Sequence, residues 1–135
     1  MRLYLAGPMT GIPQFNFPLF IEATEHLRTL GHDVVTPAEL DSPEALSAAL
    51  ASPDGDLANY QAATGETFGT LLSRDVRMIA DEGIEGVVVL PGWERSRGAR
   101  LETFVAHLLG LPVLRYPGLW RIPKVLLAGA WVDGV

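Results

Sequence analysis

Four short apolar runs, at residues 2–6, 32–36, 86–90 and 112–115, constrain this chain more than any other feature. The third is the sharpest, because Gly86 to Leu90 reads GVVVL without a polar position. A strand with one face in water alternates apolar and polar residues. An unbroken run needs cover on both faces, as a central strand of a parallel sheet has. Between the runs lie segments with helical punctuation. Phe20, Ala23, Leu27 and Leu30 recur at helical spacing behind Asn16 as N-cap and Pro18 in the first turn, and stop at Gly31. Residues 66–82 predict a second helix, stopped near Gly83, and residues 98–109 a third, ended by Gly110. Strands alternating with helices imply a parallel sheet with helices on both faces and right-handed crossovers. The expected fold is therefore α/β, a Rossmann-like or flavodoxin-like three-layer sandwich with a parallel sheet of four to five strands.

A length of 135 residues fits one domain with a core that needs no staples. We expect residues 1–115 to form its body. Residues 43–51 read as a short helix and 52–65 as a long loop, of the kind that serves as a lid or stays disordered. The tail from 116 to 135 carries two Trp and several aliphatics. It is expected to add a fifth strand, cover a sheet edge or meet another subunit, since a monomer rarely exposes such a patch.

Composition removes several classes of function. With 16 acidic and 10 basic side chains the formal charge is −6, which argues against binding a nucleic acid polymer. The absence of Cys excludes a disulfide scaffold, a thiolate zinc site and a thiol nucleophile. His26, His32 and His107 do not converge in sequence, and His107 projects opposite the apolar face of its helix, so neither a metal nor an organic cofactor is expected. No apolar run approaches the ~18 residues of a spanning helix, and the start MRLYLAGPMTG is not signal-like. A cytoplasmic protein without a membrane partner is expected.

In open α/β sheets, ligands bind outside the carboxyl ends of the strands. Two marked loops leave such ends: Gly7 to Asn16, which includes Met9 and Thr10, and residues 91–98, PGWERSRG. The first matches neither glycine-rich phosphate motif, so it is either a ligand loop or a tight strand-to-helix turn. Helical geometry adds two carboxylates. Asp75 falls amid a stripe of Phe68, Leu72 and Ile79, where a charge is costly unless paired or hydrogen-bonded; it serves catalysis, or pairs with an arginine or caps a loop. Glu102 sits beside Val105 and Leu109 on an apolar face formed with Leu101 and Leu108. It suits a nucleophile of glycosyl transfer, or merely complements the helix dipole. Gly98 permits close backbone approach to a ligand. Arg95, Arg97 and Arg100 grip an anion or pair with nearby acids. Trp93 stacks on a base or sugar, or caps the sheet.

The stretches LYLAGPMTGIPQFNFPLF, LSRDVRMI, VVVLPGWERSRGARLE and LGLPVL occur in that order. Together they resemble the nucleoside 2-deoxyribosyltransferase-like superfamily, and most closely its small phage and bacterial branch of unassigned function. The spacing of Ser96, Gly98 and Glu102 is the most specific piece. The resemblance implies Glu102 as the nucleophile at the anomeric carbon, Asp75 as the group that protonates or holds the leaving base, and Tyr4 as the hydroxyl that orients the nucleophile. Ser96 and Gly98 match positions lining the sugar or 5′-phosphate pocket. Thr10 falls where a nucleotide hydrolase branch carries Arg. The expected activity is cleavage or transfer of the N-glycosidic bond of a 2′-deoxynucleoside or its 5′-monophosphate. Gly7, Met9, Thr10, Asn16, Trp93, Ser96, Arg97 and Gly98 are the expected substrate contacts, in a homodimer or larger homo-oligomer. The rival expectations are a nucleotide sensor that binds without cleaving, and an interaction module driven by the tail.

Overall fold

The computed structural model describes residues 1–133. Its sheet has five strands: β1 (Arg2–Ala6), β2 (Asp33–Val35), β3 (Gly86–Val89), β4 (Val113–Arg115) and β5 (Trp120–Arg121). Their spatial order is β2-β1-β3-β4-β5. The first four pair in parallel, Tyr4 lying against Val35 on one side and Val87 on the other. The tail does supply a fifth strand, but it runs antiparallel to β4. A turn of residues 116–119 is far too short for the crossover that a parallel neighbour demands.

Side chains alternate across the sheet and divide the core in two. Leu3, Leu5, Val88, Leu90 and Leu114 face one layer. It contains α1 (Phe17–Thr29), the short α2 (Pro37–Leu40), α3 (Pro43–Leu50) and α4 (Leu57–Thr64). Tyr4, Ala6, Val87, Val89 and Val113 face the other, which holds α5 (Phe68–Asp81), α6 (Arg97–Leu108) and α7 (Lys124–Asp133). This is the expected three-layer α/β sandwich, and β3 is buried throughout. Among the described residues no helix is long and apolar enough to cross a membrane.

Two expectations need correction. Residues 52–65 are not a long loop: Asp56 caps α4 by accepting from the Asn59 amide, and Gly65 ends it in the left-handed conformation. Asn16 precedes α1 but does not cap it with its side chain. It is itself left-handed (φ 62°), following Gln14 and Phe15 at 57° and 51°. Three consecutive non-glycine residues in that region are costly, at about 1–2 kcal/mol each, so the surroundings must hold them. Asn16 Nδ2 donates to the Pro8 carbonyl at 2.9 Å. Gln14 donates its amide to the Ser52 carbonyl and its side chain to the Leu50 carbonyl. Phe15 is buried against Tyr60, their rings 5.2 Å apart.

The loop after β1 is therefore clamped to the segment between α3 and α4. Gly11 donates to the Gly55 carbonyl at 2.9 Å. Gly55 has φ +68°, and a Cβ there would meet the Ile12 carbonyl oxygen at 2.2 Å. Gly65 is also left-handed (φ +77°), but a Cβ would meet nothing within 4 Å. We expect Gly55→Ala to destabilise the protein by roughly 2–4 kcal/mol, combining strain with a backbone clash. Gly65→Ala should cost only about 1 kcal/mol. Urea denaturation of the two variants checks this, and equal losses would remove the clamp as the cause.

Candidate active site

The chain leaves β1 to form β2 on one side of it, then returns to form β3 on the other. Loops that leave the ends of β1 and β3 diverge at this switch, and a crevice opens between them. A cleft of about 520 Å³ lies there, within the range of small-molecule sites. Gly7, Met9 and Thr10 line it from the first loop, Arg95, Ser96, Arg97 and Gly98 from the second and the start of α6, and Asp75 and Glu102 from the helices. The structure thus gathers most of the sequence-derived candidates around one cavity.

Glu102 is buried, with 5 % of its surface exposed. Its Oε2 accepts a hydrogen bond of 2.6 Å from the hydroxyl of Tyr4, which is wholly buried in the middle of β1. The leucine face predicted for α6 is not the face that brings Glu102 inward. Ala99, Glu102, Thr103 and Ala106 are its buried positions, while Leu101, Leu108 and Leu109 are 39 %, 66 % and 49 % exposed. Small residues let the helix lie close to the strands, and the bulky ones turn outward. His107 does not stand free on the opposite side: its ring packs 5.2 Å from that of Trp131 on α7.

Asp75 comes from α5, which packs beside α6. Of its predicted stripe, Ile79 enters the core while Phe68 and Leu72 line the cleft. Its Oδ1 accepts from Arg74 Nε at 3.0 Å, so pairing with an arginine is part of its role. Arg74 Nη1 in turn donates to Asp41 Oδ1 at 2.6 Å, and the Asp41 carboxylate is only 4 % exposed. The Tyr60 hydroxyl bridges Asp41 and Glu66 at 3.3 Å to each. Asp41, Arg74 and Tyr60 line the cleft without having been singled out in the sequence. The signal available was Arg74 itself, a cation next to a carboxylate on a core-facing stripe.

Burial, then the charge of Asp75, raise the Glu102 carboxyl well above its ordinary range, while the Tyr4 hydrogen bond and Arg74 oppose this. Burial raises Asp75 as well, with Arg74 opposing. Tyr4 is pushed up by burial and by both carboxyls, so it remains a neutral hydroxyl donor. Because the charge of Asp75 raises Glu102, the two carboxyls titrate as an interacting pair.

The remaining candidates are placed as follows. A Cβ on Gly7 would meet Leu90 at 2.9 Å, so the glycine is required where β1 and β3 end together. Gly98 would meet nothing nearer than Ser96 Oγ at 4.0 Å, and the space before it is open to a ligand. Ser96 caps α6, accepting from the Ala99 amide at 3.1 Å. The Arg97 guanidinium lies 4.7 Å from the centre of the Phe68 ring. Trp93 is not a stacking platform in the cleft; it is 3 % exposed within the core cluster of the α5–α7 face. Asn16 is spent on the Pro8 carbonyl. Among the described residues, no group of three or more His, Asp or Glu side chains is placed to hold a metal ion.

The chain belongs to a family described as a domain of unknown function, DUF4406, whose model matches residues 1–115. That span contains every residue of the cleft and leaves out β5 and α7. No curated protein and no solved structure matches the chain.

A carboxyl raised on folding stabilises the protein fully below its unfolded value of ~4.5, and that contribution is lost as pH rises through the folded value. Glu102→Gln removes the loss. We expect the variant to match the parent near pH 4.5 and to exceed it at pH 8, read as a difference in Tm that grows with pH. A difference flat across this window would mean that Glu102 ionises normally.

Proposed function

We propose that this member of the family cleaves or transfers the N-glycosidic bond of a 2′-deoxynucleoside or its 5′-monophosphate, through a covalent ester between Glu102 and C1′. The observation that carries the reading is the buried Glu102 and the part-buried Asp75, on neighbouring helices in one cleft, with the Tyr4 hydroxyl 2.6 Å from the first. The cleft wall of Phe15, Phe17, Tyr60, Phe68, Leu71 and Leu72 suits a flat aromatic base. The exposed Arg95 and Arg97 beside the first turn of α6 suit an anionic substrate.

The proposed chemistry requires one proton on the pair of carboxyls, seated on Asp75 with Glu102 ionised. As the C1′–N bond breaks, that proton passes from Asp75 to the departing base nitrogen. The bonding electrons leave with the base, and the Glu102 carboxylate forms the new bond to C1′ of an oxocarbenium-like centre. Asp75 is then ionised beside Arg74. Water attacks C1′, gives a proton to Asp75 and frees the Glu102 carboxylate; a second base bearing an N–H gives transfer instead. Tyr4 holds Glu102 in line throughout and releases no proton of its own.

A second reading is binding without cleavage. It is favoured by the raised Glu102 carboxyl, which in its neutral form is a hydrogen-bonding group rather than a nucleophile. Incubation with the four common deoxynucleosides and their 5′-monophosphates, followed by chromatography of free base, separates the two. Base release should vanish in Glu102→Ala with the fold retained, and fall on the order of 100-fold in Tyr4→Phe. Binding by calorimetry without release, with or without an acceptor base, would make the protein a sensor.

We further propose that the chain associates with itself. Leu101, Phe104 and Leu108 on α6 and Val125, Leu126 and Val132 on α7 are exposed, and the two helices pack together through Phe104 and Trp131. Sedimentation should show a dimer or larger assembly at micromolar concentration, and a monomer there would exclude it.

A further inference from the structure

Arg74 belongs to neither the nucleophile nor the group that touches the base, yet its guanidinium joins two acidic side chains from different elements. Nε meets Asp75 Oδ1 at 3.0 Å and Nη1 meets Asp41 Oδ1 at 2.6 Å. Asp75 keeps 15 % of its side-chain surface and Asp41 only 4 %. A planar guanidinium held at one edge by a buried carboxylate cannot swing away from its other partner. We infer that Arg74, anchored by Asp41, is a positioning residue that fixes Asp75 with one oxygen occupied and stabilises its anion as the proton leaves for the base. This rests on the glycosidic reading above and names the part of the site that controls its proton.

The Arg74–Asp75 contact differs between the two protonation states of Asp75. While Asp75 is protonated, the Arg74 contact is a hydrogen bond to a neutral carboxyl. Once the proton has gone it becomes a charge-assisted pair in a largely dry site, where such contacts are stronger. A contact that strengthens as the reaction proceeds lowers the barrier rather than only binding substrate. Asp41 acts oppositely on the charge balance, because it neutralises part of the guanidinium it holds. The other charged or titratable groups facing this array are Tyr4 from β1, Tyr60 from α4, Glu66 ahead of α5, Glu102 from α6, and Arg95 and Arg97 from the loop after β3 and the start of α6. In the proposed reaction the proton is carried by Asp75, and none of these groups supplies it.

The two partners of one ion pair should therefore shift the carboxyl pair in opposite directions. Carbon-13 NMR of the Asp75 and Glu102 carboxyls, titrated in the free protein, reads this without any substrate. Arg74→Gln should move the Asp75 midpoint up by a pH unit or more, and Asp41→Asn should move it down. Arg74→Lys keeps the charge and should stay nearer the parent; it also serves if the Gln variant fails to fold. Base-release profiles against pH should move the same way, with kcat falling at least 10-fold in Arg74→Gln and KM changing less. Midpoints unmoved in all three variants, or moved in one direction by all of them, would overturn the role of Arg74. Midpoints that move as stated in a protein that releases no base would leave the proton control standing and remove the glycosidic reading alone.

Discussion

The hydrogen bond from the Tyr4 hydroxyl to Glu102 joins the sheet to the helix that follows β3, and the candidate site is built around it. A carboxyl buried on the inner face of α6 would be strongly destabilising without a partner. Tyr4 provides one from the middle of β1, a strand flanked on both sides and therefore held in place. The contact spans 98 positions in sequence, so the site exists only once β1, β3 and α6 are assembled. The small residues Ala99, Thr103 and Ala106 serve the same end, because a helix carrying them can lie close enough for the glutamate to reach the strand.

The second carboxyl extends this contact into an array of three acids and one cation. Glu102, Asp75, Arg74 and Asp41 follow one another across the cleft, with Tyr4 and Tyr60 as neutral hydroxyls at the two ends. Desolvation raises both Glu102 and Asp75, whereas the cation restrains the rise. The walls are supplied by segments under strain or clamp. Three left-handed residues before α1 are held by contacts to Ser52, Leu50 and Tyr60. The cleft wall formed by α3 and α4 and the loop after β1 are thus one mechanical unit.

Much of this was legible from residue order. The four parallel strands, α1, α3, α5 and α6 stand close to where apolar runs, proline and glycine placed them, since those signals act within a few residues. Asp75 and Glu102 stand out in the sequence as acids on apolar faces, although Glu102 lies on the alanine face of α6 and not on its leucine face. Periodicity ranks leucine above alanine, but close packing against a sheet selects the smaller side chain. Trp93 and Asn16 are ambiguous in another way. A tryptophan after a strand end and an asparagine before a helix have a core role and a functional or capping role, and only neighbours distant in sequence select between them. The helix at 57–64 was hidden by a proline and glycine at 53 and 55, and its N-cap lies just beyond them at Asp56.

Local pattern alone determined the layered α/β class, the succession of strands and helices, and the two acids that face inward, because each follows from spacings of two to four residues. Sheet order, the antiparallel course of β5, the bond from Tyr4 to Glu102 and the bridge from Asp41 through Arg74 to Asp75 were decided only by tertiary structure. Each depends on which distant segments share a desolvated volume. There the free energy of a charge or a hydroxyl is set by its spatial partners rather than by its neighbours along the chain.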